Sequence, residues 1–302
     1  MGDDWRHDAT RRAKVALIDT TTPNPARVGD YLYGGPNNFE ADRKAARTLM
    51  AAAPAVAMIA PAARAFHQRV VRYLAGEAGV TQFIDIGTSL VVPGNTHEVA
   101  QAIAPESRVV YVDSDPMVLA HARALMTSTE SGAVGFVDAD VHDPRAIVAD
   151  AQAVLDFGRP VAVMLPSTLA TIEDTEEAAA VVAALTAAVR PGSYIALYHV
   201  ASDLDQAMPL AVREWNKMCS AQPSTLRSRA EVARLVAGLD LVSPGLVPIA
   251  EWRPAPTDPR FEDVVPVHGV VTRKPERPGP RSRPFGIPAR VCRRAGLHDR
   301  GS

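Results

Sequence analysis

Three stretches of helical periodicity precede the first strand signal. Asn24 followed by Pro25 is a cap and a preferred first helical residue, predicting a helix to about Tyr33 that stops at Gly34-Gly35-Pro36. Asn38 is expected to cap a second helix, Phe39 to about Ala53, ended by Pro54. A third, from about Met58 to Ala78, carries Ala62, Phe66, Val70, Tyr73 and Leu74 at helical spacing and stops at Gly79. From Thr81 the pattern changes. Short apolar runs at Gln82–Ile86, Arg108–Val112, Val134–Val137, Val161–Leu165 and Tyr194–His199 alternate with helical stretches at Asn95–Ala104, Pro116–Met126, Asp143–Leu155 and Thr175–Arg190. Such alternation predicts a parallel sheet with right-handed crossovers. Two helices, around Leu204–Cys219 and Ser228–Ala237, then lead to two last apolar runs, Leu239–Val247 and Val264–Thr272, expected to close the sheet as a hairpin. The fold class is α/β, a seven-stranded sheet with helices on both faces and an N-terminal helical cap over the strand ends.

Composition adds bounds. Over 302 residues the apolar fraction is 47% and the charged fraction 22%, ordinary for a globular protein. A net charge of −2 favours neither a nucleic-acid nor a membrane partner. Cys219 and Cys292 are far apart, form no disulfide framework or metal-ligand spacing, and fit a reducing, cytoplasmic setting. The first residues lack the apolar segment of a signal peptide. Residues 1–22 are expected to form a flexible arm, 23–79 the cap, 80–274 the ligand-binding α/β domain, and 275–302 a disordered Arg/Pro-rich basic tail. A homodimer is compatible with this reading, and no metal site is expected.

The informative stretch is TQFIDIGTSLVVP, Thr81 to Pro93. Its strand ends in an acid, Asp85, ahead of Gly87 and Thr88; the next strand runs out at a second acid, Asp113, followed by Ser114. A dinucleotide fingerprint opens with glycine at the strand end and seats its pyrophosphate on the next helix N-terminus. A carboxylate in that place repels a pyrophosphate, which disfavours a nicotinamide oxidoreductase, but suits a ligand carrying an ammonium group. S-adenosylmethionine has such a group, together with ribose hydroxyls that Asp113 can accept.

The segments NPARVGDYLYGGPNNFEADRKAA, ARAFHQRVVRYLA, QFIDIGTSL, NTHEVAQ, ESRVVYVDSDPMVLAHARALM and LRSRAEVARLVAGLDLVSPGLVPIAEWRP resemble the actinobacterial S-adenosylmethionine-dependent methyltransferase family formerly known as a domain of unknown function. The likeness runs from about Asn24 to Lys274, and the N-terminal block is its most specific part. It implies a class I, Rossmann-like methyltransferase with S-adenosylmethionine as cofactor, transferring a methyl group to a small-molecule O, N or C nucleophile. Two departures stand out. Ser89 occupies the place of the family's second turn glycine, and Leu165-Pro166-Ser167-Thr168-Leu169 replaces a histidine-containing loop after the fourth strand. They motivate the alternative of a catalytically silent cofactor-binding protein with a regulatory role.

Cofactor contacts are accordingly expected from Asp85, Gly87, Thr88, Asp113 and Ser114, from Asp140 and Val141 beside the adenine, and from Arg27 or Arg64 toward the cofactor carboxylate, which a guanidinium pairs bidentately. Tyr31, Asn38, His97 and Ser167 are expected to border the acceptor pocket. His199 ends the fifth strand on the edge where ligands collect, and its ordinary pKa suits a general base.

Overall fold

The computed structural model describes residues 19–90 and 93–276; the expected basic tail beyond residue 276 and the arm ahead of residue 19 lie outside them. The three N-terminal helices form as α1 (Pro25–Leu32), α2 (Glu40–Ala52) and α3 (Val56–Arg72), the last running into a π-helical turn over Tyr73–Glu77. Asn24 caps α1, its side chain accepting from Ala26 N and Arg27 N. The cap of α2 departs from expectation. Phe39, not Asn38, holds that position, because Asp42 Oδ2 accepts the Phe39 N–H at 2.8 Å and secures the helix start from inside.

The α/β part follows as β1 (Gln82–Ile86), α4 (Thr96–Ile103), β2 (Arg108–Asp113), α5 (Pro116–Leu125), β3 (Ala133–Asp138), α6 (Pro144–Ala151), β4 (Ala162–Pro166), α7 (Thr175–Ala188) and β5 (Tyr194–Val200). All five strands are parallel. Beyond them come α8 (Met208–Met218), α9 (Arg229–Leu235), β6 (Asp240–Leu241), β7 (Val247–Pro248) and β8 (Val267–Arg273). The order across the sheet is β3-β2-β1-β4-β5-β8-β6. β8 is antiparallel to β5, and its other edge is taken first by β6 and then by β7. The single strand expected over Leu239–Val247 is thus broken in two. Pro244 has no N–H to give a ladder, and Gly245 turns at φ +92°. Counted by position, the sheet keeps the seven places expected of a class I methyltransferase.

The buried strands read as apolar runs because helices cover both faces. One layer gathers Ile84, Val110, Val163, Ile195 and Leu197 against α6, α7 and α9. The other packs Phe83, Val109, Tyr111 and Ala196 beneath Phe66 and Val70 of α3 and Leu74 of the π-helical turn. A third cluster joins Val28, Ala46 and Leu49 of α1 and α2 to Met208 and Trp215 of α8. At roughly 1.5–3 kcal/mol for each large side chain removed from water, this cluster fixes the cap against the element that follows β5. Order in the sheet reverses between β1 and β4, since the chain winds from β1 outward to β3 and returns on the other side. Ligands of open α/β sheets bind at that crevice.

Candidate functional site

Asp85 stands at the crevice. It is 4% exposed, and its Oδ2 accepts from the Thr96 hydroxyl at 2.6 Å, while Oδ1 is buried and receives no donor among the described residues. An unmet carboxylate oxygen costs about 1–3 kcal/mol or more, which a cationic N–H donor offsets. Beside it, Gly87 turns at φ +84°, and a Cβ there would lie 2.3 Å from Thr168 Oγ1. Thr168 in turn donates to Ile86 O at 2.5 Å, stitching the ends of β1 and β4 together. The Thr88 hydroxyl donates to Asp85 O at 3.2 Å. Ser89 adopts φ +63°, a left-handed conformation that a glycine would take without steric cost. Ser167 also sits in the left-handed region, at φ 59°, and donates its N–H to Tyr198 O at 3.0 Å.

At the neighbouring tip, Asp113 is pushed up to about 6, first by burial, against which the N–H groups of Asp115, Ser89 and Ser114 work. Asp115 N donates to Asp113 Oδ1 at 2.9 Å. Ser114 is exposed. Asp115 caps α5 and also accepts from Asn24 Nδ2 at 2.6 Å, which ties the start of α1 to the rim of the site.

Arg64 of α3 reaches across the mouth, donating to Pro93 O. Burial lowers its pKa against the opposing fields of Tyr33, Asp85, Glu98 and Tyr111. Tyr33, at the end of α1, shares that neighbourhood, and burial pushes its hydroxyl up to about 12. A narrow crevice lies alongside, lined by Phe66 and His67 of α3, Pro166 of β4 and Tyr198 of β5.

Several residues expected in the site are engaged elsewhere. Arg27 is 4% exposed; its Nε donates to Asp42 at 2.8 Å and its Nη2 to Thr22 O at 2.7 Å, so its guanidinium binds α1 to α2 rather than facing the crevice. Asn38 gives its amide to Asp30 Oδ2 at 2.8 Å and Gly35 O at 2.7 Å, holding the loop between the same helices. Tyr31 leans on the cap cluster, with its hydroxyl toward Arg47. His97 is 2% exposed because Nδ1 meets the Tyr111 hydroxyl at 2.7 Å, which also accepts the His97 N–H at 2.9 Å. Asp140 pairs with the exposed His142 at 2.5 Å, and Val141 packs into the core with Ile147.

His199 is the main departure. It is fully buried, its Nδ1 bonds Val200 O at 2.9 Å, and its Nε2 accepts from Arg227 at 2.7 Å. Burial drives its pKa down to about 4. With Nδ1 protonated and the Nε2 lone pair occupied, no nitrogen is left to take a proton from an acceptor. Arg227, also fully buried, spreads its remaining donors over Leu169 O, Ile172 O and Thr175 Oγ1. The pair therefore clamps the loop that follows β4.

Sequence reasoning passed over His67, Thr96, Thr168, Tyr33 and Arg227. For His67 a signal existed, a polar residue set among Ala63, Val70 and Val71 on the buried face of α3. For Thr96 it was position, the first helical residue after the β1 turn.

Among the described residues, no group of acids, histidines and cysteines is arranged to hold a metal ion, and no single helix is long and apolar enough to cross a membrane. The family model for S-adenosyl methyltransferases matches residues 11–275. A solved structure from Streptomyces avermitilis, of the family of unknown function numbered 574, is 37% identical with TM-score 0.81, covering 86% of this chain and 100% of its own. A candidate methyltransferase from Thermobifida fusca is 38% identical with TM-score 0.77, covering 85% and 97%. No curated protein matches the chain. A buried carboxylate oxygen without a donor among the described residues, beside a turn too tight for any Cβ, is chemistry that fits the amino-acid end of S-adenosylmethionine. On this match and these relatives, the chain belongs to the S-adenosyl methyltransferase family and is an S-adenosylmethionine-dependent methyltransferase of class I, Rossmann-like fold.

Proposed function

We propose that this enzyme methylates a small-molecule nucleophile at the crevice between β1 and β4, with Asp85 and Asp113 holding opposite ends of the cofactor. The observation that carries this reading is Asp85 Oδ1, buried at the strand tip and without a donor among the described residues. Asp85 receives the ammonium, Asp113 accepts ribose hydroxyls, and Arg64, half-buried at the mouth, supplies positive charge for the carboxylate end. Gly87 lets the backbone approach without a side chain intervening. The cofactor supplies a methyl group already activated by its sulfonium.

The protein's share is then alignment and exclusion of water, which supply much of the rate in such displacements. Phe66, Met164 and Leu165 keep the adjoining narrow crevice apolar. With His199 engaged by Arg227, acceptors that are nucleophilic without a strong base fit this site best. Calorimetry with S-adenosylmethionine and S-adenosylhomocysteine tests the reading: the parent binds both, and Asp85→Ala or Asp113→Ala weakens binding at least tenfold. Properly folded variants that bind as tightly as the parent would sink it.

A further inference from the structure

One buried polar chain crosses from the helical cap into this site. His67 Nε2 lies 2.7 Å from Thr96 Oγ1, which lies 2.6 Å from Asp85 Oδ2. His67 to Asp85 directly is 3.7 Å, too long for a hydrogen bond. His67 is 8% exposed and Thr96 is fully buried.

Proton accounting fixes the direction. A carboxylate only accepts, and a threonine hydroxyl has one proton to give. Thr96 therefore donates to Asp85 and must accept from His67, whose Nε2 carries the hydrogen. Burial holds the His67 imidazole below its ordinary pKa, with Asp85 opposing and Arg64 reinforcing the shift, which favours this neutral form. Each bond polarises the next. Oδ2 already accepts from a donor that is itself held in place, and Oδ1, which has none among the described residues, is the oxygen left for a ligand.

We infer that His67 and Thr96 form a positioning relay that orients Asp85 toward the ammonium end of the cofactor, a second role for cap helix α3 at the cofactor site. The inference rests on the reading of Asp85 given above. A bare structural tie between α3 and α4 would stabilise the fold without regard to which end of a ligand Asp85 meets. The relay acts only on the amino-acid end.

Two ligands separate these cases. S-adenosylhomocysteine carries the ammonium; methylthioadenosine keeps the adenosyl group and lacks it. By calorimetry, Thr96→Val, isosteric but without a donor, is expected to weaken S-adenosylhomocysteine binding about tenfold or more. It should leave methylthioadenosine within about twofold. Thr96→Ser restores the parent affinity, and His67→Phe weakens S-adenosylhomocysteine in the same selective way. Because the two residues act in series, the double variant is no weaker than Thr96→Val alone. If Thr96→Val does not fold, His67→Phe with the same ligands decides. Unchanged S-adenosylhomocysteine affinity, or an equal loss for both ligands, overturns the relay while leaving the cofactor reading intact. A parent that binds neither ligand overturns both.

Discussion

Asp113→Asn is expected to stabilise the ligand-free protein at neutral pH while weakening its hold on the cofactor. The carboxyl of Asp113 is raised from 3.8 to about 6, chiefly by burial. An acid whose folded pKa exceeds its unfolded value binds its proton more tightly when folded. Its contribution to stability is therefore greatest below pH 3.8 and is lost as pH rises, the loss being complete a little above 6. Two pKa units at 1.36 kcal/mol each put that loss at about 3 kcal/mol. Asparagine removes the charge but keeps an oxygen for the Asp115 N–H, bonded at 2.9 Å. Allowing for the weaker neutral bonds, the variant should gain about 1–3 kcal/mol at pH 7.5 and nothing at pH 3.5. Urea unfolding of both proteins across that range measures the difference, and the comparison cancels every other titrating group. A variant less stable than the parent at pH 7.5, or a difference that does not vary with pH, refutes the reasoning. The functional half has its own signature. If ribose hydroxyls donate to this carboxylate, the parent loses affinity for S-adenosylhomocysteine as pH falls below about 6, by up to tenfold per unit, whereas Asp113→Asn binds weakly at all pH values.

Gly87→Ala should cost about 2–4 kcal/mol, from the left-handed backbone at φ +84° and the overlap with Thr168 Oγ1; Thr168→Ala in the same chain recovers part of it, as urea midpoints will register. Arg27→Met leaves Asp42, fully buried, without its cation, a loss of about 3–5 kcal/mol that Asp42→Asn relieves; thermal melting of the single and double variants checks this. His199→Leu strips Arg227 of an acceptor and should lower stability by about 1–3 kcal/mol while S-adenosylhomocysteine affinity stays within about twofold. Lost affinity with intact stability would return His199 to the site.

Much of the sheet could be read from the sequence because buried parallel strands are apolar runs and their helices carry local caps. Asp115, Asp143, Asp174 and Ser228 each sit where a helix begins and each accepts backbone N–H groups there. Such signals need no knowledge of distant residues. The broken edge strand was missed for the opposite reason. The apolar run over Leu239–Val247 continues through Ser243-Pro244-Gly245, and only the lack of an N–H and a positive φ interrupt it.

For the site, strand ends were legible but side-chain engagement was not. Asp85 and Asp113 were marked by ending apolar runs, and the topology alone sets them on the neighbouring tips of β1 and β2, beside the switch between β1 and β4. His199 met the same criterion, yet a residue 28 positions later, Arg227, claims its nitrogen. Arg27 looked like a ligand for an anion until Asp42, fifteen residues on, is seen to occupy it. Ser89 teaches the converse. Its place at a glycine position suggested a damaged turn, but at φ +63° the serine adopts the left-handed conformation open to glycine, at a cost on the order of 1 kcal/mol, and its N–H donates to Asp113. A left-handed cost is retained where the surrounding packing fixes the backbone, and here Gly87, Thr168 and the Asp113 carboxylate all converge on that turn. The serine is therefore compatible with the tight turn after β1 and does not by itself argue against it.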